Sequence, residues 1–468
     1  MRRFLSALAL VAVLVAVPPA LAVDQAESNW HQWRGPNANG LASQGDPPIE
    51  WDAQKNIKWK TPIPGRGSAS PIVWGDKIFV LTAVDTGKPD PNAPAPAAEE
   101  DATEEAEGSD SDEGRRGRGR RGGFRGRFGG DSGPRNVHQF LVICLDRNTG
   151  DVLWQKVARE AVPHESKHGD NTYASGSPTT DGKRLYATFG SQGIFCYELD
   201  GTLLWERDLG DMQTRNGFGE GASPTIHEDT LLVPWDQETG SKLYALDVNN
   251  NGETKWETDR PGEVTTWITP LVIEAAGKTQ VIINGTERSR SYDFNTGEVI
   301  WECGGQGTNP IPVPVVFEDL VFCMTGHRDP AAIAIPLDST GDITDTDKVA
   351  WRTEKGTPYV PSPLLIGDHL YITKANNGVL SCLNARTGEP IIDQDRIPGI
   401  DNIYASMVAA GDRLYVTGRD GTTVVLKHGD EVEVLATNTV GEDVDASPAI
   451  VGDVMYIRGA EHLFCIGE

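Results

Sequence analysis

Cys144-Leu145-Asp146-Arg147-Asn148-Thr149-Gly150-Asp151-Val152-Leu153-Trp154 is the stretch that decides the fold. The apolar run before Asp146 suits a buried strand. Asp and Asn tolerate and hydrogen-bond a tight turn, Gly supplies its positive φ, and Val-Leu-Trp opens the next strand. The unit returns along the chain: Asp293 to Trp301 repeats it as DFNTGEVIW, Val248 to Trp256 varies it, Asp200 to Trp205 shortens it, and Asp338 to Trp351 stretches it. Trp154, Trp205, Trp256, Trp301 and Trp351 stand 51, 51, 45 and 50 residues apart. That period suits one four-stranded propeller blade.

A second signature opens each unit. Ser-Pro occurs at Ser70-Pro71, Ser177-Pro178, Ser223-Pro224, Ser362-Pro363 and Ser447-Pro448, with Thr269-Pro270, Val313-Pro314 and Ser406-Met407 as weaker copies. A polar turn such as Gly75-Asp76 or Gly367-Asp368 follows each, then a β-rich run such as KIFVLT or HLYITK, which reads as a hairpin. Eight copies predict an all-β, eight-bladed β-propeller of four-stranded antiparallel blades. Blades six and seven carry Pro390-Ile391-Ile392 and Glu431 to Leu435 where the Trp should be. The last copy stops one strand short, and Asn56-Ile57-Lys58-Trp59-Lys60 has the form of the missing strand. The expectation is a ring closed by an N-terminal strand supplied to the last blade, with Trp59, Trp154, Trp205, Trp256, Trp301 and Trp351 at blade junctions.

Asp-x-x-Thr-Gly-x-x-x-Trp after an apolar strand resembles the repeat of the pyrroloquinoline-quinone (PQQ)-type β-propellers, over nearly the whole chain beyond its leader. That family holds the eight-bladed quinoprotein alcohol dehydrogenases and also non-catalytic exported propellers such as the assembly factor BamB. The dehydrogenases characteristically use a vicinal Cys-Cys disulfide, a Trp floor under the quinone, and Glu, Asn and Asp ligands around calcium. No two cysteines are adjacent here, and no residue is matched to the calcium ligands or the base. The resemblance implies an exported non-enzymatic scaffold or binding module for a protein partner in the cell envelope, with no catalytic, cofactor or metal residue assigned. A PQQ-dependent oxidoreductase of the alcohol or sugar dehydrogenase type, holding PQQ and calcium at the channel mouth, is the alternative.

Residues 1–22 read as a signal peptide: Met1-Arg2-Arg3, an apolar core from Leu5 to Val17, and Ala20-Leu21-Ala22 before the cut. The apolar run is too short to span a bilayer and no second one follows. The chain is expected to be periplasmic or extracellular, monomeric and without a transmembrane anchor. Residues 23–56 read as an N-terminal arm anchored by Trp30, Trp33 and Trp51, and 57–468 as the propeller. Residues 85–136 interrupt the first blade between strands Lys77 to Thr82 and Gln139 to Asp146. An acidic run from Glu99 to Glu113 is followed there by RRGRGRRGGFRGRFGG, a composition that cannot bury a core and reads as disordered.

The net charge of -26 argues against a nucleic-acid partner despite the Arg-Gly run. Cys144, Cys196, Cys382 and Cys465 share one repeat position and read as small core residues, because equivalent positions on different blades lie too far apart to bridge. Cys303 and Cys323 flank blade five and are left open as free or paired.

Strands alternating in direction bring the loops before each inner strand, and those between second and third strands, to one face. That face is expected to gather Arg66, His164, His168, Asp170, Asn171, Tyr173, Arg215, Asn216, Glu220, Trp267, Tyr359, Asn402 and Tyr404, with Thr265, Asp443 and Asp445 nearby, as a polar ligand site at the mouth of the channel. His164, His168 and Asp170 are spaced like metal ligands, yet loop spacing alone assigns no metal.

Overall fold

Eight antiparallel sheets succeed one another along the chain and form an eight-bladed β-propeller in the computed structural model, which describes residues 28–92 and 136–468. The signal-peptide reading and residues 93–135 of the insertion lie outside the described residues. Among the described residues no helix is long and apolar enough to cross a membrane. Blade one runs outward as Ile72–Trp74, Lys77–Pro89, Asn136–Asp146 and Val152–Ala161. Its second strand runs past the expected Lys77 to Thr82: residues 85–89, read as the start of the disordered insertion, stay in the strand, and pairing continues to Pro89↔Asn136 across a register shift.

The last blade consists of Ala449–Val451, Val454–Arg458 and His462–Ile466, with Ile57–Pro62 as its outer strand, and Trp59 lies opposite Cys465. Two blades gain a fifth, parallel strand. Leu41–Ala42 of the arm adds to Val408–Ala410 in blade seven. The stretched copy of the repeat in blade five spends its extra residues as Gly341–Asp342, which pairs with Trp301 and Glu302 of blade four.

The Ser-Pro signature has a structural purpose. Each serine opens an inner strand and its hydroxyl accepts the backbone N–H of the matching residue one blade earlier: Val313 to Ser362, Ser362 to Ser406, Ser406 to Ser447, Ser447 to Ser70, Ser70 to Ser177 and Ser177 to Ser223, at 2.9–3.0 Å. The Ser447 to Ser70 bond joins blade eight to blade one. The chain of bonds breaks at blades four and five, where Val313 has no hydroxyl and the buried Thr269 hydroxyl finds no partner.

Outside the axis, the Trp and the Gly of the repeat meet across neighbouring blades. The indole N–H of Trp59 donates to Arg147 O, Trp154 to Leu199 O, Trp256 to Phe294 O and Trp351 to Ala385 O, at 2.9–3.1 Å, always to the carbonyl just past the third strand of the next blade. Trp301 reaches that carbonyl through Gln280, which accepts from Trp301 and donates to Leu337 O. At Trp205 the equivalent carbonyl, Val248 O, is taken by Arg184, and the buried indole nitrogen is left unpaired. Hydrophobic clusters therefore sit between blades: Phe79, Phe140 and Tyr197 between one and two, Tyr292, Leu232 and Ile283 between three and four.

Within each blade the Trp stands opposite a small third-strand residue: Cys144, Cys196, Ala245, Ser291, Ala334 and Cys465. This explains the shared cysteine position, since a larger residue there would collide with the indole. Ile392 and Ala436 stand in for Trp opposite Cys382 and Val425. All six cysteines are buried and free, so Cys303 and Cys323 are not bridged.

The arm crosses the face opposite the long loops. Trp30 pairs with Val73 of blade one, His31 O accepts from Thr180 N of blade two, and the buried Arg34 donates to Asn39 O at 2.6 Å and Pro363 O at 2.5 Å. Trp51 stacks on Tyr415 before the chain enters blade eight. Trp30 and Trp51 are buried as anchors, whereas Trp33 is only half-buried and faces the channel.

Candidate ligand site in the central channel

The arm floors the channel. Trp33 donates through Nε1 to the Ser447 hydroxyl at 3.4 Å, and lines with Ser70, Ser177, Ser223 and Ser447 a cavity of about 570 Å³. Loops entering successive blades build its wall: His168, Asp170 and Asn171, then Arg215 and Asn216, then Trp267, Thr308 and Asn309, Tyr359, Tyr404 and Asp445. His327 and Arg328 join them from the hairpin between the second and third strands of blade five. A cavity of this size suits a small molecule.

Charge divides the cavity. On one side Arg419 binds Asp445 with two hydrogen bonds, Nε to Oδ1 at 2.7 Å and Nη2 to Oδ2 at 3.2 Å, and reaches Asp170 through Nη1 at 3.0 Å. Tyr404 donates to Asp170 at 3.2 Å, and the guanidinium lies 3.9 Å from the Tyr404 ring centre. Partial burial works against ionisation of Asp170, but the Arg419 hydrogen bond and charge outweigh it and hold the carboxyl below its ordinary pKa. One arginine thus occupies both cavity carboxylates. On the other side Arg215 and Arg328 have no acidic partner among the described residues. His327 stacks on Tyr359 at 4.8 Å, and burial, then the fields of Arg328 and Arg215, push its pKa down.

The residues expected to share one site are divided among three cavities. His168, Asp170, Asn171, Arg215, Asn216, Trp267, Tyr359 and Tyr404 meet in the central one. Arg66 and Asn402 line an adjoining cavity of about 460 Å³ with Arg419, Asp443 and Arg458, sharing Asp445 as a wall. His164, Tyr173 and Glu220 line a small side pocket of about 50 Å³. His164 and His168 therefore open into different cavities and do not form one site with Asp170. Sequence reading missed Trp33, Asn309, His327, Arg328 and Arg419 as site residues. The loop rule, applied to the second hairpin of blade five, reaches His327 and Arg328; Trp33 lies in an arm with no repeat to align.

The side pocket holds a different donor set. Ligand atoms of His164, Glu165 and Glu220 lie within 4.8 Å of one another. Glu220 accepts from Ser191 N at 2.7 Å and Ser191 Oγ at 2.5 Å, and Glu165 from the backbone and hydroxyl of Thr214. The His164 Nε2–H donates to Met212 O at 2.6 Å, since a carbonyl only accepts, so Nδ1 is the ring nitrogen left to the set. Burial pushes the Glu220 pKa up to about 7, against the Ser191 hydrogen bonds. In a second set, Glu442, Glu461 and His462, Glu442 accepts from the backbone N–H groups of Glu461 and His462 and from the His462 ring.

The family model described as outer membrane protein assembly factor BamB matches residues 138–394, more than half of the chain. No functionally curated protein matches it in sequence. Among solved structures, BamB from Moraxella catarrhalis is 14% identical with a TM-score of 0.51, the match covering 70% of this chain and 93% of that one. A europium-containing methanol dehydrogenase is 11% identical with a TM-score of 0.61, covering 94% and 92%. The quinohemoprotein alcohol dehydrogenase from Comamonas testosteroni is 9% identical with a TM-score of 0.59, covering 97% and 82%. At such identities the likeness to these structures is one of fold. The family model runs from the third strand of blade one into blade six and the repeat runs on through the other two blades, so the chain belongs to the BamB-type family of PQQ-repeat β-propellers.

Proposed function

We propose that this protein is an exported, non-catalytic binding module of the cell envelope whose ligand site is the floored central cavity. Export rests on the signal-like residues 1–22. The observation that carries the binding reading is the capture of Asp170 and Asp445 by Arg419. A quinone held through calcium needs carboxylate and amide oxygens free to ligate the ion beside it. The aromatic element of such a site is present in Trp33 and Trp267, but the cavity carboxylates are already paired. Among the described residues, the donor set of His164, Glu165 and Glu220 faces a pocket of about 50 Å³, too small for a tricyclic cofactor. These residues do not fit PQQ with calcium, and no catalytic step is assigned.

A protein partner is compatible with the same module. Val152 and Leu153 on the outer strand of blade one, and Leu203 and Leu204 on that of blade two, are 41–48% exposed and supply apolar ground on adjacent blade edges. The test is reduction of an artificial electron acceptor by the purified chain supplied with PQQ, calcium and an alcohol or sugar. The expected result is no turnover above the protein-free rate. Saturable turnover would replace this reading with the oxidoreductase.

A further inference from the structure

We infer that the central cavity takes a small polyhydroxylated anion of the acidic-sugar class, a sugar ring bearing a carboxylate or a sulfate ester. The inference rests on the binding-module reading above and names its ligand.

Three independent features of the cavity converge on this chemistry. Arg215 and Arg328 face it without an acidic partner among the described residues, in a chain of net charge -26 where Arg419, lining the adjoining cavity, is bound to Asp445 and Asp170. Two unpaired guanidiniums beside a confined space select an anion, and planar forks suit a carboxylate or sulfate. The floor offers hydroxyls. Ser70, Ser177, Ser223 and Ser447, at 2–5% exposure, each accept a backbone N–H from the neighbouring blade and have no acceptor for their own O–H among the described residues. A hydroxyl that lines a cavity with no acceptor for its proton is completed by a ligand oxygen that accepts it, and the hydroxyl and ring oxygens of a sugar do so. Lastly, Trp33 and Trp267 line the same cavity, and indole rings suit the C–H face of a pyranose.

The experiment titrates the full chain with glucuronate, glucose 6-sulfate, glucose and inorganic sulfate, read by calorimetry and by fluorescence of the cavity tryptophans. Both charged sugars should bind saturably, with glucose and inorganic sulfate each weaker by about 10-fold or more; the tighter of the two charged sugars identifies the anionic group. Arg215→Gln with Arg328→Gln should weaken the charged sugars by roughly 10- to 100-fold and leave the weak glucose binding unchanged. Arg215→Lys with Arg328→Lys, which keeps the charges, should recover part of the loss and guards against a folding defect, as does an unchanged melting curve. Glucose binding as tightly as glucuronate, inorganic sulfate matching glucose 6-sulfate, no sugar binding at all, or full affinity in the Gln variant would each overturn the inference. Failure of the binding-module reading is seen separately, as quinone-dependent turnover.

Discussion

Gly150 lies flat on the indole of Trp59, so close that a Cβ placed on it would come within 2.6 Å of Cδ2 and Cε3 of the ring. The two residues are contributed by opposite ends of the ring, Trp59 by the outer strand of blade eight and Gly150 by the turn of blade one. The same contact recurs at Gly201 on Trp154, Gly252 on Trp205, Gly297 on Trp256 and Gly388 on Trp351. Gly75 has a similar positive φ but open space around it. Gly75→Ala should therefore cost about 1 kcal/mol, the conformational part alone. Gly150→Ala must also displace the indole, so about 2–4 kcal/mol is expected from urea unfolding. Equal costs at the two sites would show that the Gly–Trp contact carries no packing energy.

The arm and the outer strand of the last blade form one continuous segment. Removing residues 23–61 strips Ile57–Pro62 from His462–Ile466, removes the buried Trp30 and Trp51, and leaves the edge of blade eight open. Thermal unfolding of the truncated chain should lose its single cooperative transition or fall by well over ~10 °C. A truncated chain with the parent melting curve contradicts the closure of blade eight by this strand.

A buried ion network clamps blades three and four. Arg260 binds Asp236 at 2.7 and 3.1 Å, Glu263 at 3.2 Å and the Tyr292 hydroxyl at 2.7 Å, with all the charged side chains essentially inaccessible. Arg260→Met strands Asp236 without a cation and should cost about 3–5 kcal/mol. The exposed Arg386, paired with Glu318 and Asp319, is the control, and its Met variant should cost less than about 1 kcal/mol. Denaturant unfolding of the two variants side by side checks the contrast.

Glu220 makes stability depend on pH in an unusual direction. Its folded pKa of about 7 lies above the unfolded 4.5, so the folded state holds the extra proton between those values. The stability this gives is full below about pH 4.5 and is lost as pH rises through 7. Glu220→Gln keeps the neutral shape and should remove the loss, gaining roughly 2–3 kcal/mol over the parent at pH 8 with little change at pH 4.5. Melting temperatures across pH 4.5–8 decide; parallel curves for parent and variant would show that Glu220 is ionised without penalty.

The blades were legible because their signals are local and repeated. Asp146 to Trp154 encodes a turn and a strand within eleven residues of Cys144, and the hairpins of blades six and seven stay readable although Ile392 and Ala436 replace the indole. The end of the second strand of blade one was not: residues 85–89 share the polar, Gly- and Pro-containing composition of the insertion, and a register shift interrupts their pairing. The site was half legible. Loop direction placed His168, Arg215, Trp267 and Tyr359 around one opening, since that follows from strand alternation alone. Which charges remain free does not follow: Arg419 meets Asp445 26 positions away and Asp170 249 positions away, a pairing that only the closed ring creates.

The central claim is that the channel binds without catalysing. Calorimetric titration of the full chain with PQQ in the presence of calcium, followed by an acceptor-reduction assay on the same sample, tests it most directly. The account predicts no saturable calcium-dependent heat and no reduction with alcohol or sugar, because Arg419 holds both cavity carboxylates. A stoichiometric calcium-dependent complex that turns over an alcohol would contradict it.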